Sequence, residues 1–158
     1  MRKLMGGDGG VALVEFALVA PILLLVIVGI VDVGRSINAY VTISNAAREG
    51  AHYAALHPAA PSSAIASAVQ QRVVPLDPSS VSVIATYWDG STFKPWPSGG
   101  IPASSPAVYV PTRVQVSYPW RAVTFVIGVF FPNVTTCGGA ATTADACFSA
   151  SSTMDTLR

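Results

Sequence analysis

The sequence predicts an α+β protein: a long N-terminal transmembrane helix, then a small head with a second helix and about three or four antiparallel strands. Residues 11–31 are apolar, Gly or Pro apart from Glu15, a run long enough for a helix to cross a bilayer. Helical spacing then continues to His57-Pro58, and the remaining chain alternates β-branched runs with segments rich in Gly, Pro and Ser. We therefore divide the chain into residues 1–10, 11–57 and 58–158.

Composition limits the classes of function. The chain has 158 residues, of which 51% are hydrophobic and 11% charged, a low charge content for a soluble domain. The formal net charge is +1, and without residues 1–10 seven basic and seven acidic side chains would remain. Nucleic-acid binding requires clustered Lys and Arg, so we expect no nucleic-acid partner.

The N-terminal segment 1–10 is short, polar and rich in glycine, with Arg2 and Lys3 near its start. These charges predict a cytoplasmic N-terminus and an exported remainder. Three interpretations are open: a leader removed by processing, an uncleaved signal anchor, or a cleaved secretory signal peptide. A signal peptide needs a shorter apolar core and a small-residue cleavage site, which residues 32–36 do not offer. An anchor leaves Glu15 unexplained, since a charge within a membrane span costs roughly 2.5–3.5 kcal/mol.

Beyond Val31 the helix is expected to continue, loosened at Pro21, until His57-Pro58 stops it. The result would be one helix over Val11–Leu56, about 70 Å long. Its second half should pack along the head through one face: Ile30, Val33, Ile37, Tyr40 or Val41, Ser44, Ala47, Ala51 and Ala54. Small residues such as Ala46 and Gly50 predict a core-facing stripe that permits close packing.

Periodicity predicts the elements of the head. A second helix is expected over Ala64–Val74 and a strand over Val81–Tyr87. A long loop follows over Trp88–Ala107, and then a second strand over Val108–Tyr118, which Pro119 should end.

The C-terminal part of the head begins with an apolar run, Trp120–Phe131, too short to span a membrane. It is either a buried strand or core helix turn, or an exposed patch that docks a neighbouring subunit or a membrane surface. A polar loop is expected over Asn133–Asp145 and a last strand over Cys147–Met154.

Cys137 and Cys147 are the two cysteines of the chain. Export to an oxidising compartment would favour a disulfide between them, and two free thiols are the alternative. No C-x-x-C pair is present, so we expect no metal.

The N-terminal third resembles a known family. Gly10 followed by Glu15 at the start of the apolar run looks like the processing site of type IV prepilins, and Phe16 after the glutamate is similar to the Tad/Flp branch. The continuation, with segments 14–18, 29–35 and 45–51 and Pro21 between them, resembles the TadE-like minor pilin (pseudopilin) family. Residues 148–154 look like the last strand of that family.

The resemblance implies a function and its residues. A prepilin peptidase would cut after Gly10, and Glu15 would pair with the new amine on Val11 of an adjacent subunit. The protein would then be a structural minor pilin or pseudopilin used in assembling a Tad/Flp-type pilus. Its partners would be the peptidase, other pilin subunits, the assembly machinery and the bacterial inner membrane, and it could enter the extracellular pilus. The alternative is a membrane-anchored exported binding or adhesion domain that does not polymerise.

An enzyme is not expected, and neither is a cofactor. His52 and His57 lie roughly 140° apart on a helix and so do not share a metal-binding face. No G-x-S-x-G elbow is present, and Ser98-Gly99-Gly100 lacks the Lys-Ser/Thr of a phosphate-binding loop.

Overall fold

The computed structural model describes residues 8–102, 109–123 and 134–157, and it confirms the predicted α+β class. The helices are α1 (Asp8–Leu56) and α2 (Ser62–Gln70), followed by a 3₁₀ turn at Pro78–Ser80. The six strands are β1 (Ser82–Trp88), β2 (Phe93–Pro95), β3 (Tyr109–Trp120), β4 (Val134–Cys137), β5 (Ala140–Ala144) and β6 (Ala146–Leu157).

Helix α1 is one continuous element of 49 residues with Pro21 inside it. It ends at Leu56 as predicted, because a residue that precedes proline, here His57, avoids helical backbone angles. It begins at Asp8, three residues before the predicted start. Its apolar part is long enough to cross a membrane, and none of its most apolar 18-residue window is buried against the rest of the chain. By length and composition, α1 fits a single-pass membrane anchor.

Four strands form an antiparallel sheet in the order β2-β1-β3-β6. Strand β3 pairs with β1 from Ser82↔Ser117 to Tyr87↔Thr112, and with β6 along its full length. The last strand is confirmed and is longer than predicted, because pairing with β3 extends it at both ends. Valines that alternate along β3 (Val110, Val114 and Val116) are fully buried and form the centre of the core.

The predicted end of β3 at Pro119 was wrong. The strand continues through Pro119, which pairs with Cys147, and through Trp120. Both prolines of β3, Pro111 and Pro119, lie beyond the stretch that pairs with β1, where β6 is the partner. Proline has no backbone N–H, and a strand tolerates it where no neighbouring strand on that side requires a hydrogen bond.

Two predicted loops contain strands. The segment Trp88–Ala107 includes β2, and it also supplies Trp96 and Ile101 to the core. The segment Asn133–Asp145 includes the hairpin of β4 and β5, whose turn places Gly138 and Gly139 at φ of +59° and +83°. Two consecutive positive φ angles make a tight hairpin turn that glycine accepts without strain.

Helix α2 is shorter than predicted, ending at Gln70 instead of Val74. The chain turns after Gln70 and directs Val73 into the core, while Pro75 disfavours helical geometry at Val74. Ile65 and Val69 of α2 are fully buried and pack on the small-residue stripe of α1.

The buried face of α1 differs from the predicted one in its first half. Ile30, Val33, Ile37, Tyr40 and Val41 are exposed, and the head instead covers Asp32, Ala39, Ile43, Ala46, Ala47, Gly50, Ala51 and Ala54. The head packs on the side with the smallest residues because the backbone can be approached most closely there. Val69 Cγ2 would lie 2.5 Å from a Cβ at Gly50.

A disulfide joins Cys137 of β4 to Cys147 of β6, with the Cα atoms 5.5 Å apart. It attaches the small hairpin to the edge of the four-stranded sheet. Residues 124–131 of the predicted apolar run Trp120–Phe131 lie outside the described residues. Trp120 itself ends β3 and is buried.

Candidate assembly site on the membrane helix

Glu15 lies on a bare part of α1, one turn after Val11. A shallow groove along this face is lined by Gly10, Val11, Val14, Glu15 and Leu18. Within the part of the chain that the structure describes, the Glu15 carboxylate makes no hydrogen bond or ion pair. A carboxylate in an apolar environment is costly without a partner, so this face is suited to receive a cation from another molecule.

Gly10 and Val11 lie in the first turn of α1. A Cβ at Gly10 would meet nothing within 4 Å, so the glycine is not required by packing within the chain. Glycine weakens a helix by roughly 1 kcal/mol relative to alanine, and Gly9 adds a second weak position. The bond between Gly10 and Val11 is therefore in a part of the helix that unwinds readily.

The structure brings Val11 and Glu15 to one helix face, with Gly10 also lining the groove there, and separates the other predicted residues from them. Phe16 is 72% exposed and, one residue further on, points about 100° away from Glu15 around the axis. Cys137 and Cys147 lie in the head.

The exposed apolar side chains continue along α1 from Val11 to Val31, and head packing begins at Asp32. Asp32 is 0% exposed, and its Oδ1 accepts hydrogen bonds from Arg35 Nη1 at 3.1 Å and from the backbone N–H of Val123 at 3.0 Å. This carboxylate joins the end of the apolar run to a loop 91 residues away in the chain. The sequence analysis did not single it out as a site residue, although an acid directly after an apolar run with Arg three residues later is a visible signal.

Two other carboxylates, Asp77 and Asp89, organise turns. Asp77 accepts hydrogen bonds from Ser79 and Ser80, and Asp89 accepts them from Ser91 and Thr92 and pairs with Lys94 Nζ at 2.5 Å. Within residues 8–102, 109–123 and 134–157, no group of three or more His, Cys, Asp and Glu is placed to hold a metal ion. The described part of the chain is thus a scaffold in which the Glu15 carboxylate, on the apolar helix, has no partner.

Comparison with known families gives one match: the model of the TadE-like protein family matches residues 10–52. The match begins at Gly10 and covers about a quarter of the chain, and it confirms the predicted resemblance. No curated protein and no solved structure matches the chain. The match indicates similarity, over the N-terminal helix, to a Tad pilus-related family that is structural rather than enzymatic. Residues 148–154 lie outside it, so their similarity to the family's last strand stays a prediction.

Proposed function

From the TadE-like match over residues 10–52, we propose that this chain is a minor pilin or pseudopilin that takes part in assembling a Tad/Flp-type pilus. A prepilin peptidase removes residues 1–10, and the mature chain begins at Val11. The head is exported and α1 anchors it in the bacterial inner membrane, from which the subunit joins other pilin subunits and the assembly machinery.

One observation carries this proposal: the Glu15 carboxylate has no partner among the described residues and lies on a bare apolar face, five residues after Gly10. Cleavage after Gly10 creates an ammonium group on Val11. The carboxylate of one subunit and the ammonium of another are each costly in lipid alone, and pairing removes most of that cost. Assembly then follows from the electrostatics of the membrane segment, with no chemistry required of the head.

The first test is the N-terminus of the membrane-extracted full chain, measured by intact mass in a host that carries the matching peptidase. We expect a chain that begins at Val11, and a chain that retains Met1 in the Gly10→Leu variant. Gly34→Leu is the matched control, since a Cβ at Gly34 also meets nothing within 4 Å. A wild-type chain that still begins at Met1 would refute processing, and a membrane-anchored binding or adhesion domain would then be the better description.

The second test separates processing from assembly. Glu15→Gln removes the charge and keeps the shape, so we expect a correctly cleaved chain that no longer co-purifies with other subunits. Glu49→Gln, on the exported half of the same helix and paired with Arg72 at 3.4 Å, should assemble normally. Normal assembly of Glu15→Gln would contradict the proposed ion pair even if cleavage occurs.

A further inference from the structure

A small cleft lies between α1 and the head, just beyond the end of the apolar run. It has a volume of about 230 Å³ and is lined by Arg35, Asn38 and Ala39 of α1, by residues 75–77, and by Tyr118 and Trp120 of β3. Ligand pockets for drug-sized molecules are usually 300–1,000 Å³, so this cleft fits a small polar group.

The position of the cleft relative to the bilayer follows from the helix rise. If the hydrocarbon ends near Val31, the Arg35 Cα lies about 6 Å beyond it and the Asn38 Cα about 10 Å beyond it. The headgroup layer on each side of a bilayer is roughly 5–7 Å thick. A helix tilt of about 20° shortens these distances by less than a tenth. The cleft therefore opens at the outer edge of the lipid headgroups.

The charges around the cleft are of both signs. The Arg35 side chain is 47% exposed and shares its charge with the buried Asp32. Asp77 is exposed, and hydrogen bonds from Ser79 and Ser80 lower the pKa of its carboxyl group, which keeps it ionised. A purely anionic ligand would be repelled by Asp77, which offsets its attraction to the half-exposed Arg35. A ligand that carries both a phosphate and an ammonium complements both residues.

Trp120 lines the cleft and carries a polar group without a partner. The residue is 5% exposed, and its indole N–H has no hydrogen-bond partner within the part of the chain that the structure describes. A buried donor without an acceptor costs about 1–3 kcal/mol. The N–H is itself buried, so it reaches a bound ligand only if the lining of the cleft rearranges.

We propose that the cleft binds the headgroup of a zwitterionic, ammonium-bearing phospholipid from the leaflet on the side of the head. The phosphate lies at Arg35, and the ammonium lies at Asp77. The acyl chains remain in the bilayer beside the exposed apolar side chains of α1. The proposal requires α1 to be a membrane helix, and it does not depend on the pilin role.

The test uses the full chain in maltoside micelles, with native mass spectrometry to measure binding of three lipids. We expect phosphatidylethanolamine to bind about tenfold more tightly than phosphatidylcholine, whose methylated ammonium cannot donate to Asp77, and than phosphatidylglycerol, which lacks the cation. Arg35→Gln and Asp77→Asn should each weaken phosphatidylethanolamine binding about tenfold. Arg48→Gln is the matched control, an equal loss of charge on an exposed part of the same helix about 20 Å further from the membrane.

Three results would overturn the proposal. Phosphatidylglycerol could bind at least as tightly as phosphatidylethanolamine, Arg48→Gln could weaken binding as much as Arg35→Gln, or soluble phosphorylethanolamine could bind as tightly as the lipid. Circular dichroism shows whether each variant is folded. If Arg35→Gln unfolds the head, two other variants test the site: Asn38→Leu, which blocks the mouth of the cleft, and Asp77→Asn. Unchanged phosphatidylethanolamine binding in both variants would refute the site.

Discussion

Asp32 links the membrane helix to the head. Its Oδ1 accepts both the Arg35 guanidinium and the Val123 N–H, and the carboxylate is fully buried. A buried charge that loses one partner is costly, and the partner that remains also loses an acceptor. Asp32 therefore matters for how firmly the head is held against α1 at the membrane surface.

We expect Asp32→Ala to lower the free energy of unfolding of the head by about 2–4 kcal/mol. Denaturant unfolding of the full chain in micelles, followed by tryptophan fluorescence, measures this. Asp32→Asn keeps an acceptor for the Val123 N–H, so its loss should be smaller. Asp155→Asn, on the exposed side of β6, is the control, and its free energy of unfolding should stay within about 0.5 kcal/mol of the wild type. An equal loss of stability in Asp32→Ala and Asp155→Asn would contradict the role of Asp32.

Asp32 also shows why sequence reasoning found some residues and missed others. Glu15 stands out from local sequence alone, as the one charge within an apolar run. The burial of Asp32 depends on Val123, which no local pattern connects to it. Gly138-Gly139 was a visible turn signal, and a hairpin there could have been predicted from it.

Asp89 makes the stability of the head depend on pH. The Lys94 ammonium, and then the backbone N–H groups of Thr92 and Ser91, hold the pKa of this carboxyl group well below its usual range. The unfolded-state value is about 3.9, so the stabilisation is present above that pH and is lost as pH falls through the lower folded-state pKa.

We expect the free energy of unfolding of the wild-type protein to decrease as pH is lowered from about 4 towards 2. Asp89→Asn should flatten this part of the profile, and Lys94→Met should flatten it in part, since Lys94 is the largest cause of the shift. Denaturant midpoints measured at a series of pH values test both variants. Profiles parallel to the wild type in both would refute the assignment.

At the scale of elements, Gly50 sets the distance between α1 and the rest of the head. A Cβ there would lie 2.5 Å from Val69 Cγ2 of α2 and 3.0 Å from Val114 Cγ1 of β3. One glycine thus permits the close contact of both elements with the helix. Sequence analysis predicted this packing, because runs of small residues are visible without knowing their partners.

Gly50→Ala should lower the free energy of unfolding by about 1–3 kcal/mol, because the added methyl group displaces buried valines. Gly34→Ala is the matched control, since it gains the same helix propensity and its Cβ meets nothing within 4 Å. Thermal unfolding followed by circular dichroism compares the two. Stabilisation of both variants would show that α1 and the head are less closely packed than described.

Some strand boundaries could not be predicted from the sequence of the strand itself. The end of α1 at Leu56 depends on His57-Pro58, which is local, and it was predicted correctly. The extension of β3 through Pro119 depends on pairing with β6, where Pro119 faces Cys147. Strand β2 is three residues long and exists because β1 lies beside it. Pairing between distant segments decided the extension of β3, whereas β2 and the hairpin of β4 and β5 pair with segments next to them in the chain.

At the scale of the whole molecule, the Cys137–Cys147 disulfide holds the hairpin of β4 and β5 to the sheet. Closing a loop of this length restricts the unfolded chain, and we expect it to contribute on the order of 2–3 kcal/mol. The double variant Cys137→Ser, Cys147→Ser should lose that amount in denaturant unfolding. Alkylation without reductant should label neither cysteine in the exported wild-type protein, and labelling of both would favour free thiols.

Because α1 is continuous, it fixes the direction of the head around the helix axis. Glu15 and Asp32 belong to one helix, so the number of residues between them fixes the direction in which the head projects relative to the membrane carboxylate. One inserted residue would turn the head by about 100° and raise it by about 1.5 Å, whereas seven would return it to within about 20° of its original direction and raise it by roughly 10 Å. The number of residues in the apolar segment thus sets both the height of the head above the membrane and its direction around the helix axis. In any array of such subunits, the sequence therefore fixes that direction for every head.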